Sequence, residues 1–315
     1  MTTARKHWRR ALVALTLPLF TFAAACSSAE DDGAAQATQS AEESRSAEST
    51  ESREAVTKPQ RIASLSSDAT SVLAELVDHD RIVASPATPG GKPVGETALP
   101  DGVHADPEQV LALNPDLVVL TERHGSEGSA AELLANSGVK VHTFKDSDWS
   151  SIDSLMKSMN VLGELTGEKE KAQELSAKIG ERRDEIVSAL DTQAKPRVLL
   201  LMARGGKKMI MSPSTMASGL VKEAGGELIS EAEGMRGAAP ADPERIAALA
   251  PDVILIEAFR GQGKEAFADL LDQPAIAELG ARVELISPAT TGASAGSKIT
   301  TGLEDVAEKI GTKRN

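Results

Sequence analysis

The side chains able to ligate a metal or grip a charged group are few and scattered. Beyond residue 25 the chain has four histidines, His79, His104, His124 and His142, and it has no tyrosine at all. Neutral imidazole can hold a transition metal, while a phenolate ligand is excluded outright. The single cysteine, Cys26, leaves no intramolecular disulfide, multi-thiolate zinc site or cysteine nucleophile for the folded part. His79 lies between acids near a helix end and reads as surface, and His142 alternates within a strand as core or surface. His104 and His124 fall on loops. Arg123, Arg204, Arg236 and Arg260 stand near strand ends, where guanidinium forks suit acidic groups. Singly, each reads equally well as a solvated arginine. Trp149 and Phe259 close strands and would either stack on a flat ligand or pack. Met235 offers a soft sulfur, and Ser66 follows a strand.

No catalytic set emerges. GASAG (292–296) fits G-x-S-x-G, but its strand ends at Ser287 and no histidine follows Ser294. A nucleophile elbow needs the serine directly between strand and helix, with its partners downstream. GQGK (261–264) lacks the earlier glycine of a phosphate loop. The chain is expected to bind rather than catalyse.

RIASL (61–65), RIVAS (81–85), Leu117–Leu120 and VKVHTF (139–144), which carry several of these residues or lead to them, alternate with helical stretches. RVLLLM (197–202), VILIEA (253–258) and RVELIS (282–287) do so again. Such alternation predicts parallel sheets with helices on their faces. Between the halves, Ile152, Leu155, Met156, Met159 and Leu162 recur at helical spacing, and a second helix runs from about Glu168 to Leu190. The expectation is an α/β protein of two similar lobes, 59–150 and 192–315, joined by a long rigid helical strut over 151–191. Closure by small tilts follows from such a strut.

One unit occurs twice. DPEQVLALNPDLVVL from Asp106 returns 136 residues later as DPERIAALAPDVILI from Asp242, with seven matches in fifteen. Asp106 and Asp242 read as N-caps, Pro107 and Pro243 as first helical residues, and Glu108 and Glu244 as first-turn acids. Helix-end chemistry alone would account for both glutamates.

The amino-terminal 25 residues read as a leader. MTTARKHWRR carries four fixed positive charges, an apolar run follows, and Ala23-Ala24-Ala25 precede Cys26. Those residues resemble the lipobox of bacterial lipoproteins, with Cys26 as the lipidated residue. Arg9-Arg10 leaves twin-arginine export open beside the general route. Removing Arg5, Lys6, Arg9 and Arg10 with the leader takes the formal charge from −13 to −17. So acidic a chain argues against nucleic acid and against electrostatic membrane binding. Residues 26–58 are acidic and of low complexity, predicting a disordered tether.

Together these features resemble the periplasmic-binding-protein family of ABC importers for iron complexes, haem and cobalamin. Within it they are nearest to actinobacterial haem-binding lipoproteins. The resemblance spans residues 59–311 and rests on RIASLSSDATSVLAEL, LLANSGVKVHTF, NVLGELTGEKEKA, GLVKEAGGE and the repeated unit. It implies a monomeric, lipid-anchored binding subunit on the extracytoplasmic face of the cell membrane. Haem or another iron chelate would be its cargo, with no catalytic cofactor, and a permease dimer with its ATPase would be its partner. It implies that Glu108 and Glu244 meet permease arginines, one per lobe. It implies that His104 is an axial ligand of haem iron. The family's tyrosine ligand falls at Ala238, a departure that leaves siderophore or cobalamin as the alternative cargo. The ligand-binding set then comprises Ser66, His104, Arg123, His124, Trp149, Arg204, Met235, Arg236, Phe259 and Arg260. A zinc or manganese binder and a non-transporting sensor lipoprotein are the more distant readings.

Overall fold

A computed structural model describes residues 58–87, 92–100, 106–123, 125, 127–191, 193–259 and 262–313. The leader, Cys26, most of the tether, His104, His124 and Arg260 lie outside the described residues.

The first half runs β1 (Ile62–Ser64), α1 (Ser67–Leu76), β2 (Ile82–Ser85), β3 (Thr97–Ala98), α2 (Pro107–Ala112), β4 (Leu117–Glu122), α3 (Glu127–Asn136) and β5 (Lys140–Lys145). Its sheet has the order β3-β2-β1-β4-β5, every pairing parallel. Two helices follow, α4 (Ile152–Thr166) and α5 (Lys169–Ser188). The second half runs β6 (Arg197–Arg204), β7 (Lys207–Ile210), α6 (Met216–Glu223), β8 (Glu227–Leu228), α7 (Ile229–Ala232), β9 (Ala239–Pro240), α8 (Pro243–Leu249) and β10 (Val253–Glu257). It ends with α9 (Ala268–Leu271), α10 (Pro274–Ala277), β11 (Arg282–Ile286), α11 (Pro288–Thr291) and α12 (Ile299–Ile310). Its sheet order is β11-β10-β6-β7-β9, with β8 also on β6.

The two lobes with mostly parallel sheets are therefore present, with one insertion the sequence reading missed. After β6 the chain turns at Gly205-Gly206 (φ 59° and 76°) into β7, which pairs antiparallel, Arg204 with Lys207. Positive φ at both central residues is the demand of a tight two-residue hairpin, which two glycines meet without steric cost.

Strand residues alternate between two cores because successive side chains point to opposite faces. In β10, Val253 and Leu255 enter one cluster and Ile254 and Ile256 another. In β4, Leu117 and Val119 part in the same way from Val118 and Leu120. The two outer clusters stay within their own halves. The inner cluster does not: it runs from Ile62 and Leu117 through Leu73, Leu155, Ile179 and Val306 to Leu220 and Leu255. One apolar interior thus joins both sheets through α1, α4, α5, α12 and α6.

The strut is a hairpin of two helices rather than a single rod. Met156 faces Gly180, the Ser176 hydroxyl lies near Asn160, and Arg183 pairs with Asp153, so the helices run antiparallel. A β-carbon on Gly163 would come within 2.4 Å of the Ala172 side chain, which is why this crossing takes glycine. Arg81, buried, donates to Pro59 O, Thr166 O and the Glu168 carboxylate, tying the first half to this hairpin. From the other side, the 3-10 turn Ala293–Lys298 reaches α1, where the Ser297 amide donates to Glu75 Oε1 at 2.9 Å. GASAG belongs to that turn; α11 separates it from β11, so it is a seam between halves.

Candidate functional site

In parallel α/β sheets ligands gather beyond the carboxyl ends of the strands. In the first half those ends are closed by side chains. Ser66 caps α1, accepting from the Ala69 amide at 3.3 Å, and its hydroxyl lies 2.7 Å from that of Thr121. Trp149 Nε1 donates to the same Thr121 oxygen at 3.1 Å. The indole is 2 % exposed and meets Phe144 edge-on at 4.9 Å. Trp149 is therefore packed in the core, and it shows no face on which a flat ligand could stack. Arg123 is equally engaged: its guanidinium pairs with Asp68 and, at 3.1 Å, with Asp146. Two acids around one arginine cancel the positive character that the sequence reading assigned to it.

His142 is half-buried against Phe144 at 4.5 Å. Burial lowers its pKa, more than the opposing attraction of Asp148 restores, with Lys140 adding to the fall. His79 is exposed on a 3-10 turn. Among the described residues no three His, Cys, Asp or Glu side chains converge as a metal site.

The second half is more open. Arg204 ends β6 at the hairpin turn, and its guanidinium sits 5.9 Å from the centre of the half-buried Phe259 ring. At that distance a cation–π attraction operates. Met235 is partly buried against the outer core of this half, and Arg236 and Ala238 are exposed. From the sequence, Glu257 reads only as the first residue of the strand-end segment Glu257–Arg260, with no role of its own. It ends β10, is 8 % exposed, and burial pushes its carboxyl up to about 7. A glutamate closing an otherwise apolar strand, VILIE, was the available signal. A further concavity of about 570 Å³ lies between Ser150–Ser151 and Lys222–Glu223 and holds none of the predicted ligand residues.

The repeated unit shows what most of its matched residues do. Asp106 accepts the Glu108 amide at 2.9 Å, and Asp242 accepts that of Arg245 at 3.0 Å. Pro107 and Pro243 occupy the first helical turn. Asn114 and Ala250, one unit apart, are the two non-glycine residues with positive φ among those described, at 48° and 46°. They turn the chain from helix to strand. Asp116 then accepts the amides of Gln60 and Arg61, and Asp252 that of Arg197. Arg61 and Arg197, also 136 apart, return guanidinium bonds to Leu113 O and Leu249 O. Glu108 and Glu244 differ from these. Both are exposed, and neither carboxylate has a hydrogen bond or ion pair among the described residues. Ala112 and Ala248, one helical turn on and likewise exposed, share their faces.

The family described as periplasmic binding protein matches residues 62–282. A comparison with curated proteins gives no match. Among solved structures, a periplasmic heme-binding protein from Roseiflexus sp. RS-1 superposes with a TM-score of 0.67 at 20% identity, covering 80% of this chain and 97% of that one. A possible iron-binding periplasmic solute-binding protein from Staphylococcus epidermidis gives 0.66 at 22% over 80% and 99%. A periplasmic heme-binding protein from Pseudomonas aeruginosa gives 0.65 at 22% over 81% and 94%. At these identities the likeness speaks for the fold.

Proposed function

The chain belongs to the periplasmic binding protein family, and on that premise we propose that it is the cargo-binding lipoprotein of an ABC importer for haem or another iron chelate. The family works outside the cytoplasm with a permease and an ATPase, and it binds rather than catalyses. In this reading Cys26 carries the lipid, residues 27–58 tether the folded part, and cargo sits between the carboxyl ends of the two sheets. Glu108 and Glu244 dock on the permease dimer.

One observation carries the proposal. Asp106, Pro107, Asp116 and their counterparts all serve the chain's own structure, while the two glutamates are exposed and unpartnered. A helix N-terminus rewards such an acid by only about 0.3–1 kcal/mol. A partner with twofold symmetry would meet the same carboxylate on each half. On the cargo side, Arg204 over Phe259 offers a cation beside an aromatic face, suited to a flat or apolar ligand bearing acidic groups.

The test is titration of the protein with hemin, ferric siderophores and cobalamin, followed by absorbance and thermal shift. Saturable one-to-one binding of one of the iron chelates is expected, with a Soret band lost in His104→Ala if haem is the cargo. A response to zinc or manganese alone would replace this reading.

A further inference from the structure

The duplication allows the two halves to be compared position by position at the strand ends. With the offset of 136 residues, Glu257 corresponds to Thr121. Both are buried, at 8 % and 4 % exposure; Glu257 is the last residue of β10 and Thr121 the last but one of β4. Thr121 shares hydrogen bonds with Ser66 and Trp149. Glu257 has none, and no ion pair, among the described residues. Among the described residues, then, the first half completes this position with its own side chains and the second half does not.

The neighbours define what could complete it. Glu257 is in register with Met202 on one side and Ile286 on the other. By strand alternation Arg204 and Phe259, two residues further along β6 and beyond β10, share its face of the sheet. Glu257 and the Arg204–Phe259 pair thus lie at the same carboxyl-terminal edge of the sheet, on one face. On the elements over this face the titratable groups are Lys222 and Glu223 of α6, Lys298 of the 3-10 turn, and Glu304, Asp305, Glu308 and Lys309 of α12. Across the seam, α1 adds Asp68 and Glu75. None of these shifts Glu257; burial alone raises its pKa, and the acid is largely protonated below neutrality. A buried carboxylic acid held neutral is a hydrogen-bond donor.

Resting on the function proposed above, we propose that Glu257 is a cargo-contacting residue that, in its protonated form, donates a hydrogen bond to an anionic oxygen of the cargo beside Arg204. The carboxylates of haem and the carboxylate or hydroxamate oxygens of ferric chelates share this chemistry. Arg204 attracts the anion at the mouth; Glu257 meets it where water is scarce. No proton changes owner in the contact, but ionisation of Glu257 turns attraction into repulsion between like charges.

The experiment measures hemin affinity of the protein and of Glu257→Gln between pH 6 and pH 8.5. Gln keeps an uncharged donor, and the titration of hemin itself is common to both proteins. For the unsubstituted protein the affinity should fall by roughly tenfold or more across that range, while the variant should fall far less. Calorimetry of the unsubstituted protein at pH 7.5, in two buffers of different ionisation enthalpy, should show proton uptake on binding. Identical pH profiles for the two proteins, or proton release, would overturn the inference and leave the function standing. Failure of both proteins to bind hemin or any ferric chelate at every pH would overturn the function, and this inference with it.

Discussion

The two halves share a skeleton but finish it differently. In the first, Thr121, Ser66 and Trp149 satisfy one another and Arg123 is held between Asp68 and Asp146. In the second, Arg204 leans on Phe259, and Glu257 has no hydrogen bond or ion pair among the described residues. Away from the strand ends the halves agree closely: capped helices, positive-φ turns at Asn114 and Ala250, and aspartates that staple paired strands. The repeated backbone has kept the devices that build it, while the polar groups at the strand ends differ between the halves. Shared structure is then the place to look for docking, and unshared chemistry the place to look for cargo specificity.

That contrast can be pressed hardest at Glu257. Its folded pKa, about 7, lies above the ordinary 4.5. Between those values the native state holds a proton that the unfolded chain has lost, so stability falls as pH rises through this window. Glu257→Gln removes the penalty and should stabilise the protein by up to about 3 kcal/mol at pH 7 and above. Denaturant midpoints should show no gain at pH 4.5. A gain independent of pH would mean that the two halves do not differ in this way.

A smaller difference separates the staples. Asp116 accepts two backbone amides, at 2.7 and 3.0 Å, and Asp252 one, at 2.8 Å. Asp116→Ala should therefore cost roughly 2–3 kcal/mol and Asp252→Ala about 1–2 kcal/mol, read from urea unfolding. Equal losses would make the halves energetically alike at this point.

The smallest effect lies at the paired turns. Alanine pays about 1–2 kcal/mol for left-handed φ, and asparagine pays less. Ala250→Gly should raise stability by about 1 kcal/mol and Asn114→Gly by a few tenths, the latter offset by the entropy of a freer chain. Thermal melts of the two variants compare them directly.

The repeated unit, the alternation of strands and helices and the helical pair were all legible, because periodicity and capping are local. Asp106 and Asp242 could be assigned as caps from their neighbours alone. The RGGK hairpin was overlooked although Gly-Gly flanked by polar residues carried its signal. What the sequence could not display were meetings across distance. Trp149 reads as a strand-closing aromatic until Thr121, 28 residues away, takes its N–H. Arg123 reads as a cation until Asp68, 55 residues back, pairs with it. The inner core likewise gathers residues from both halves, and no single stretch announces it.

The account turns on the claim that Glu108 and Glu244 serve a partner and not the fold or the cargo. The direct measurement is cargo uptake by cells carrying Glu108→Ala with Glu244→Ala, set beside cargo affinity and melting temperature of the purified double variant. Uptake should be abolished while affinity and melting temperature stay near their original values. Retained uptake, or an affinity and a fold that weaken together, would contradict it.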